Sequence, residues 1–342
     1  MLAALTAGTL GLGLALGCQA EPRVRPTPAP AETVSVAAAV PTTLFDPLNP
    51  DRPIEYDSSP RGTHTSWVTA RPGFQSSLSS ADRGGISPCS TQEVDTSAFD
   101  GWTSLSKGRF VAPRESAIDA AGRFDLVMHF HGDAPVLREL VHSGQKLVLY
   151  TLTLDPSEAY GALFAGSGLF NSIVLQIEGA LSKSRGRPAH VGHIAVSAWS
   201  AGFTGISALL GQPEAGRLDA MVLIDGLHAP RLAESLDRSL QPFVDYARRA
   251  VAGERFMLVT HSSIDPPDFA STTETAHHLI AAVGGQPQAV HRKDALGLEM
   301  VEFFTAGSFH VRGYAGNDKA DHCAQLALLR DAFTALGKRW QP

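Results

Sequence analysis

The stretch His193-Ile-Ala-Val-Ser-Ala-Trp-Ser-Ala-Gly-Phe-Thr-Gly-Ile-Ser-Ala-Leu-Leu210 joins an apolar, β-prone run to a helix-like segment through a small-x-Ser-x-Gly turn. A turn of that composition lifts its serine onto a sharp bend between strand and helix. The hydroxyl is then exposed at the sheet edge, with the helix N-terminus pointing at it. Small residues at Ala198, Ala201 and Gly202 suit a place where the two backbones approach closely. Ser200 is therefore the candidate nucleophile. A free hydroxyl attacks a carbonyl poorly at neutral pH. It needs a histidine as base, an acid to orient that histidine, and N–H donors for the developing oxyanion.

The elements that must position these groups alternate along the chain. Strand-like runs cover 124–130, 146–152, 192–198, 219–225, 255–260 and 300–305, the last of the series. Helix-like segments cover 134–142, about 171–184, about 201–211, about 231–252, 271–283 and 322–336. Such alternation predicts an α/β fold with a mostly parallel central sheet and helices on both faces. In sheets of this kind active groups lie just past the carboxyl ends of strands. Those positions hold His131, Gly132, Asp133, Ser200, Asp225, His261, Asp265, His310 and His322. A rival chemistry sits among them. His129 and His131, two apart on a strand, face the same way and could share a metal, with His228, His261 or His310 completing the site. That reading makes the protein a metal-dependent hydrolase and leaves the Ser200 turn unexplained.

With the turn and the alternation together, residues from about 120 to 340 resemble the α/β-hydrolase superfamily. The resemblance implies the order nucleophile, acid, histidine, which Ser200, then Asp225 or Asp265, then His310 or His322 obeys. The family carries its histidine in a loop after the last strand. Asn317-Asp-Lys-Ala-Asp-His322 is such a loop and favours His322, with His310 as the alternative base. Asp225 ends a clean apolar strand and precedes Gly226. Asp265, in His261-Ser-Ser-Ile-Asp-Pro-Pro267, follows the next strand and is the alternative acid. The family's oxyanion donors imply the N–H of Ala201 and another from the loop marked His131-Gly132, where Asp133 and Gly132 are the candidates. The Asp133 carboxylate should then turn away from the oxyanion. Trp199 and Phe203 flank the serine and could line a pocket, and the segment 160–170 has the glycine and aromatic content of a cover or an ordinary loop. The expected activity is hydrolysis of an ester or amide with no metal or organic cofactor. A third reading, a non-catalytic hydrolase-fold binding protein, predicts an incomplete set of these groups.

Composition bounds the rest. The 342 residues are 44% hydrophobic and 18% charged, with a formal net charge of −6. With no long Lys/Arg run the chain has no electrostatic footprint for nucleic acid. Residues 1–18 read as an export signal, and Ala15-Leu-Gly-Cys18 resembles a bacterial lipobox that would lipidate Cys18 and anchor the protein to a membrane of the cell envelope. A plain secretory signal or an uncleaved anchor is the alternative. Residues 19–60 are rich in Pro, Ala and Thr and read as a tether. Residues 61–342 then form the hydrolase-like domain, with an irregular extension over 61–115. In an oxidising compartment Cys89 and Cys323 form an even pair that a disulfide could join, beside His322.

Overall fold

The strand β3 (Arg123–Phe130) is buried on both faces along most of its length, as strands are when helices cover both sides of a parallel sheet. The computed structural model describes residues 94–341, apart from 155–157, 167 and 295. The export signal, the tether, Cys18, Cys89 and most of the 61–115 extension lie outside the described residues. The chain runs β1 (Thr103–Ser104), β2 (Arg109–Val111), β3, α1 (Asp133–Ser143), β4 (Val148–Leu152), α2 (Glu158–Phe164), α3 (Leu169–Arg185), β5 (His190–Trp199) and α4 (Phe203–Leu210). It continues through β6 (Ala220–Ile224), α5 (Ala233–Val251), β7 (Phe256–His261), α6 (Thr272–Ala282), β8 (Gln288–Lys293), β9 (Glu299–Ala306), β10 (Phe309–Tyr314), α7 (Lys319–Ala324) and α8 (Leu329–Trp340).

The ten strands of the described residues form one sheet in the order β1-β2-β4-β3-β5-β6-β7-β10-β9-β8. The six central strands from β4 to β10 are parallel, and the antiparallel pairings are confined to the two ends. Side-chain alternation divides the core into two. Leu126, Met128 and Phe130 of β3 pack with Ile173 and Ile177 of α3, Ile206 of α4, Phe243 of α5 and Leu279 of α6. Val127, between them in sequence, packs with Val136 and Leu140 of α1 and Phe333 and Leu336 of α8. That period of two is the strand pleat read out in packing.

Three expectations change. The extension over 61–115 is expected to be irregular apart from short β-prone pieces such as Trp102-Thr-Ser-Leu105; β1 falls on that piece, and with β2 it carries the sheet beyond β4. The sheet does not end at 300–305. Gly307, at φ +55°, and Ser308 form a two-residue hairpin that sends the chain back as β10, between β9 and β7. The closing helix does not start at His322. Asp318 caps α7, accepting from the Asp321 N–H at 2.9 Å, while Asp321 accepts from the Asp318 N–H at 3.1 Å. This reciprocal cap fixes the helix start upstream, and a short 3₁₀ turn separates α7 from α8.

Candidate active site

Among the described residues four non-glycine residues have positive φ. Three of them, His131, Ser200 and Asp225, are the first residues past β3, β5 and β6. Conformations of that kind cost free energy and persist only where the surroundings enforce them. Here the strain gathers at one edge of the sheet.

Ser200, at φ +52°, opens a 3₁₀ turn that leads into α4. The turn is held from two sides by glycines that leave no room for a side chain. A Cβ on Gly202 would stand 2.2 Å from the Phe130 carbonyl oxygen of β3, and one on Gly226 would stand 2.5 Å from the carbonyl oxygen of Ser200 and 2.6 Å from its nitrogen. The loop after β6 therefore lies directly against the serine backbone.

Asp225, first in that loop, is buried and fully engaged. One carboxylate oxygen accepts from the Ser262 N–H at 2.8 Å, the Ser262 hydroxyl at 3.0 Å and the Thr272 hydroxyl at 2.7 Å. The other lies 2.7 Å from Nδ1 of His322. Burial alone would raise its pKa, but the bond and charge of His322, with the Thr272 and Ser262 donors, outweigh that and hold it below the ordinary carboxylate value. An ionised Asp225 only accepts, so His322 carries its proton on Nδ1 and leaves Nε2 with a lone pair. The histidine is set from a third side by Trp199. The indole stacks on its ring with centroids 4.7 Å apart and donates Nε1–H to its backbone carbonyl at 3.2 Å. His131 stacks on the same indole at 5.4 Å and meets the Tyr160 hydroxyl at 3.1 Å.

The alternatives go elsewhere. Asp265 is bound to the Arg231 guanidinium. His310 is the second residue of β10 and pairs with Leu258 near the start of β7, so it lies at the amino end of the strands, opposite Ser200. It is buried against Phe256 and Thr305, and burial pushes its pKa down to about 3. His129 does not offer a metal ligand. It is fully buried, with a pKa lowered by burial to about 4, and hence neutral. Its Nε2–H donates to the His131 carbonyl at 3.1 Å, and its Nδ1 accepts from the Ser197 hydroxyl at 2.5 Å. His228 lies edge-on between Phe203 and Phe269, with its pKa lowered chiefly by burial.

Among the expected oxyanion donors, the Gly132 N–H is already committed to the Thr153 hydroxyl at 3.1 Å. Ala201 belongs to the serine turn, and Asp133 opens α1, where first-turn N–H groups have no intrahelical partner. The Asp133 carboxylate is turned aside as its position demands. Arg109 binds it at 2.8 and 2.9 Å and the Thr153 hydroxyl at 2.6 Å. Ser262, Thr272, Thr153 and Arg109 escaped the sequence reading because nothing local marks them; each acts across at least 20 residues of chain.

A strained serine after the fifth strand, followed in chain order by a buried aspartate after the sixth and a histidine bound to it beyond the last, sits on a sheet whose central order is 4-3-5-6-7. This is the α/β-hydrolase fold. No protein-family model matches the chain, and no curated protein matches it. Solved structures similar to this chain include a feruloyl esterase module from Clostridium thermocellum, at 11% identity and a TM-score of 0.42, covering 73% of this chain and 94% of that one. A ferulic acid esterase from the anaerobic fungus Anaeromyces mucronatus matches at 10% identity and 0.38, over 72% and 95%. The enterobactin and salmochelin hydrolase IroE matches at 11% and 0.37, over 68% and 94%.

Proposed function

We propose that the protein is an exported serine hydrolase that cleaves an ester or amide through an acyl-enzyme on Ser200. Ser200 Oγ attacks the substrate carbonyl while its proton passes to Nε2 of His322, and Asp225 stabilises the imidazolium through Nδ1. The carbonyl oxygen, now negative, takes the N–H groups of Ala201 and Asp133. His322 returns the proton to the departing alcohol or amine. Water then attacks the acyl-enzyme by the same route in reverse and frees Ser200.

The observation that carries this reading is the 2.7 Å Asp225–His322 hydrogen bond beside a serine held at positive φ by Gly226. Labelling of the full chain with a fluorophosphonate probe tests it. The reading expects labelling of the wild type, none in Ser200→Ala, and strongly slowed labelling in His322→Ala. A folded wild type that does not label overturns it.

The same proposal places the enzyme in the bacterial cell envelope, lipidated on Cys18, with Cys89 and Cys323 joined by a disulfide. Incorporation of labelled fatty acid that is lost in Cys18→Ser tests the anchor. A Cys89–Cys323 peptide pair in a non-reducing digest tests the bridge.

A further inference from the structure

At the carboxyl end of β7, one residue before Ser262, His261 converges with His277 of α6 and Glu302 of β9. Their candidate donor atoms all lie within 4.8 Å of one another. Nε2 of His277 stands 2.5 Å and Nε2 of His261 2.9 Å from the same oxygen, Oε1 of Glu302. The backbone is shaped for this meeting. Gly313 of β10 pairs with His261 on one side and Glu302 on the other, and a Cβ there would stand 2.5 Å from the His261 ring and 2.6 Å from the Glu302 side chain.

The hydrogen bonds around His261 place a proton on Nδ1. The Thr273 hydroxyl donates to the Ser262 carbonyl at 2.7 Å, so its oxygen is left to accept from Nδ1–H of His261 at 3.0 Å. Nδ1 is thus the donor, held by the kind of outer partner that orients metal-ligating histidines. Nε2, in a residue only 2% exposed, then faces a carboxylate oxygen. It stands 2.9 Å from that oxygen. Two electron-rich atoms do not rest so close in a dry interior without a positive charge between them. Without a metal, one proton on His261 and an Nε2–H donated by neutral His277 supply that charge. One divalent cation in place of those protons would be held by both imidazoles and the carboxylate at once.

We propose that His261, His277 and Glu302 form a binding site for one divalent transition-metal ion of the zinc class, independent of the Ser200 chemistry. Two imidazoles and one carboxylate are a zinc donor set, and the partly exposed His277 side leaves room for water as fourth ligand. Bound there, the ion ties β7, α6 and β9 together. Its ligands adjoin Ser262, and Thr273 adjoins Thr272, the two residues whose donors hold Asp225. The ion would brace the frame around that carboxylate without touching the reacting atoms.

The test is a Zn²⁺ titration of the chelator-stripped full chain, read by competition with a chromophoric zinc indicator and by thermal midpoint. A parallel titration with Mg²⁺, which prefers oxygen ligands, serves as the comparison. Wild type is expected to take up one tight equivalent of Zn²⁺, and its midpoint to rise by about 5–10 °C at 100-fold excess over Kd. His278→Gln, one residue along and facing Asp237 instead, keeps both responses. His277→Gln and Glu302→Gln weaken zinc binding at least tenfold and lose the midpoint shift. Should Glu302→Gln not fold, the half-exposed His277→Gln decides. No tight equivalent in wild type, or unchanged binding in His277→Gln, overturns the proposal, and leaves that for Ser200 untouched.

Discussion

Gly226→Ala isolates the contact that couples the acid loop to the serine. The glycine has no positive φ, so alanine adopts its backbone without strain, and only the added methyl matters. That methyl would stand 2.5 Å from the Ser200 carbonyl oxygen and 2.6 Å from its nitrogen, where ordinary contact begins at 3.4 Å. Relief therefore requires about 0.9 Å of separation between the two backbones. Ser200 cannot retreat, because Gly202 on its far side already abuts the Phe130 carbonyl. Either the serine turn tilts or the loop moves outward and takes Asp225 and His322 with it. A misplacement near an ångström in a site of this kind costs about 100-fold in rate, or roughly 2.7 kcal/mol of transition-state stabilisation. Overpacking destabilises the fold by about 1–3 kcal/mol. The assay is the rate of fluorophosphonate labelling and of hydrolysis of an activated ester, with the thermal midpoint measured alongside. Gly179→Ala is the control, since a Cβ there meets nothing within 4 Å in the middle of α3; it should leave the rate unchanged and stabilise by about 1 kcal/mol. A Gly226→Ala protein within threefold of wild type in both reactions would refute the reasoning.

Asp225→Asn should slow turnover by about 10³–10⁴-fold by reversing the tautomer of His322, whereas Asp265→Asn should alter it less than threefold; comparable losses in the two would sink the assignment. Acid should destabilise the fold through two buried histidines. His129 and His310 have folded pKa values of about 4 and about 3 against an ordinary 6.5, so their contribution is complete above pH 6.5 and is lost as pH falls toward the folded values. Between pH 7.5 and 5 that amounts to roughly 4 kcal/mol, measurable by urea unfolding, and His310→Gln should remove about half the pH dependence. Trp199→Phe keeps the stack on His322 and deletes the indole N–H bond to its carbonyl. A loss of about 1 kcal/mol in transition-state stabilisation is expected, and a kcat/KM equal to wild type would show that the stack alone sets the histidine.

The fold was legible where its signals are local. Long apolar runs marked the buried parallel strands, and Ala198-Trp-Ser-Ala-Gly202 marked the turn. What escaped depends on partners far along the chain. Asp225 and Asp265 both follow strands, and nothing near either distinguishes them; the difference is Arg231, which binds Asp265, against Ser262, Thr272 and His322, which gather on Asp225. His310 competed with His322 only because β10 was overlooked, although Gly307-Ser308 between two β-prone runs is a hairpin signal. Gly132 was expected to donate to substrate; the hydroxyl that takes its N–H instead comes from Thr153, at the end of a different strand.

The sheet also ends in a particular way. Among the described residues one margin is β1, two residues long, and the other is β8, whose outward positions include His291 and Lys293. A short margin offers little ribbon to a second chain, and a charged one repels it. Ten strands side by side would otherwise be a template for growth. The fold's colloidal behaviour is therefore settled at its two outermost strands, and substitutions there that lengthen β1 or neutralise β8 should promote aggregation while leaving the reacting groups where they are.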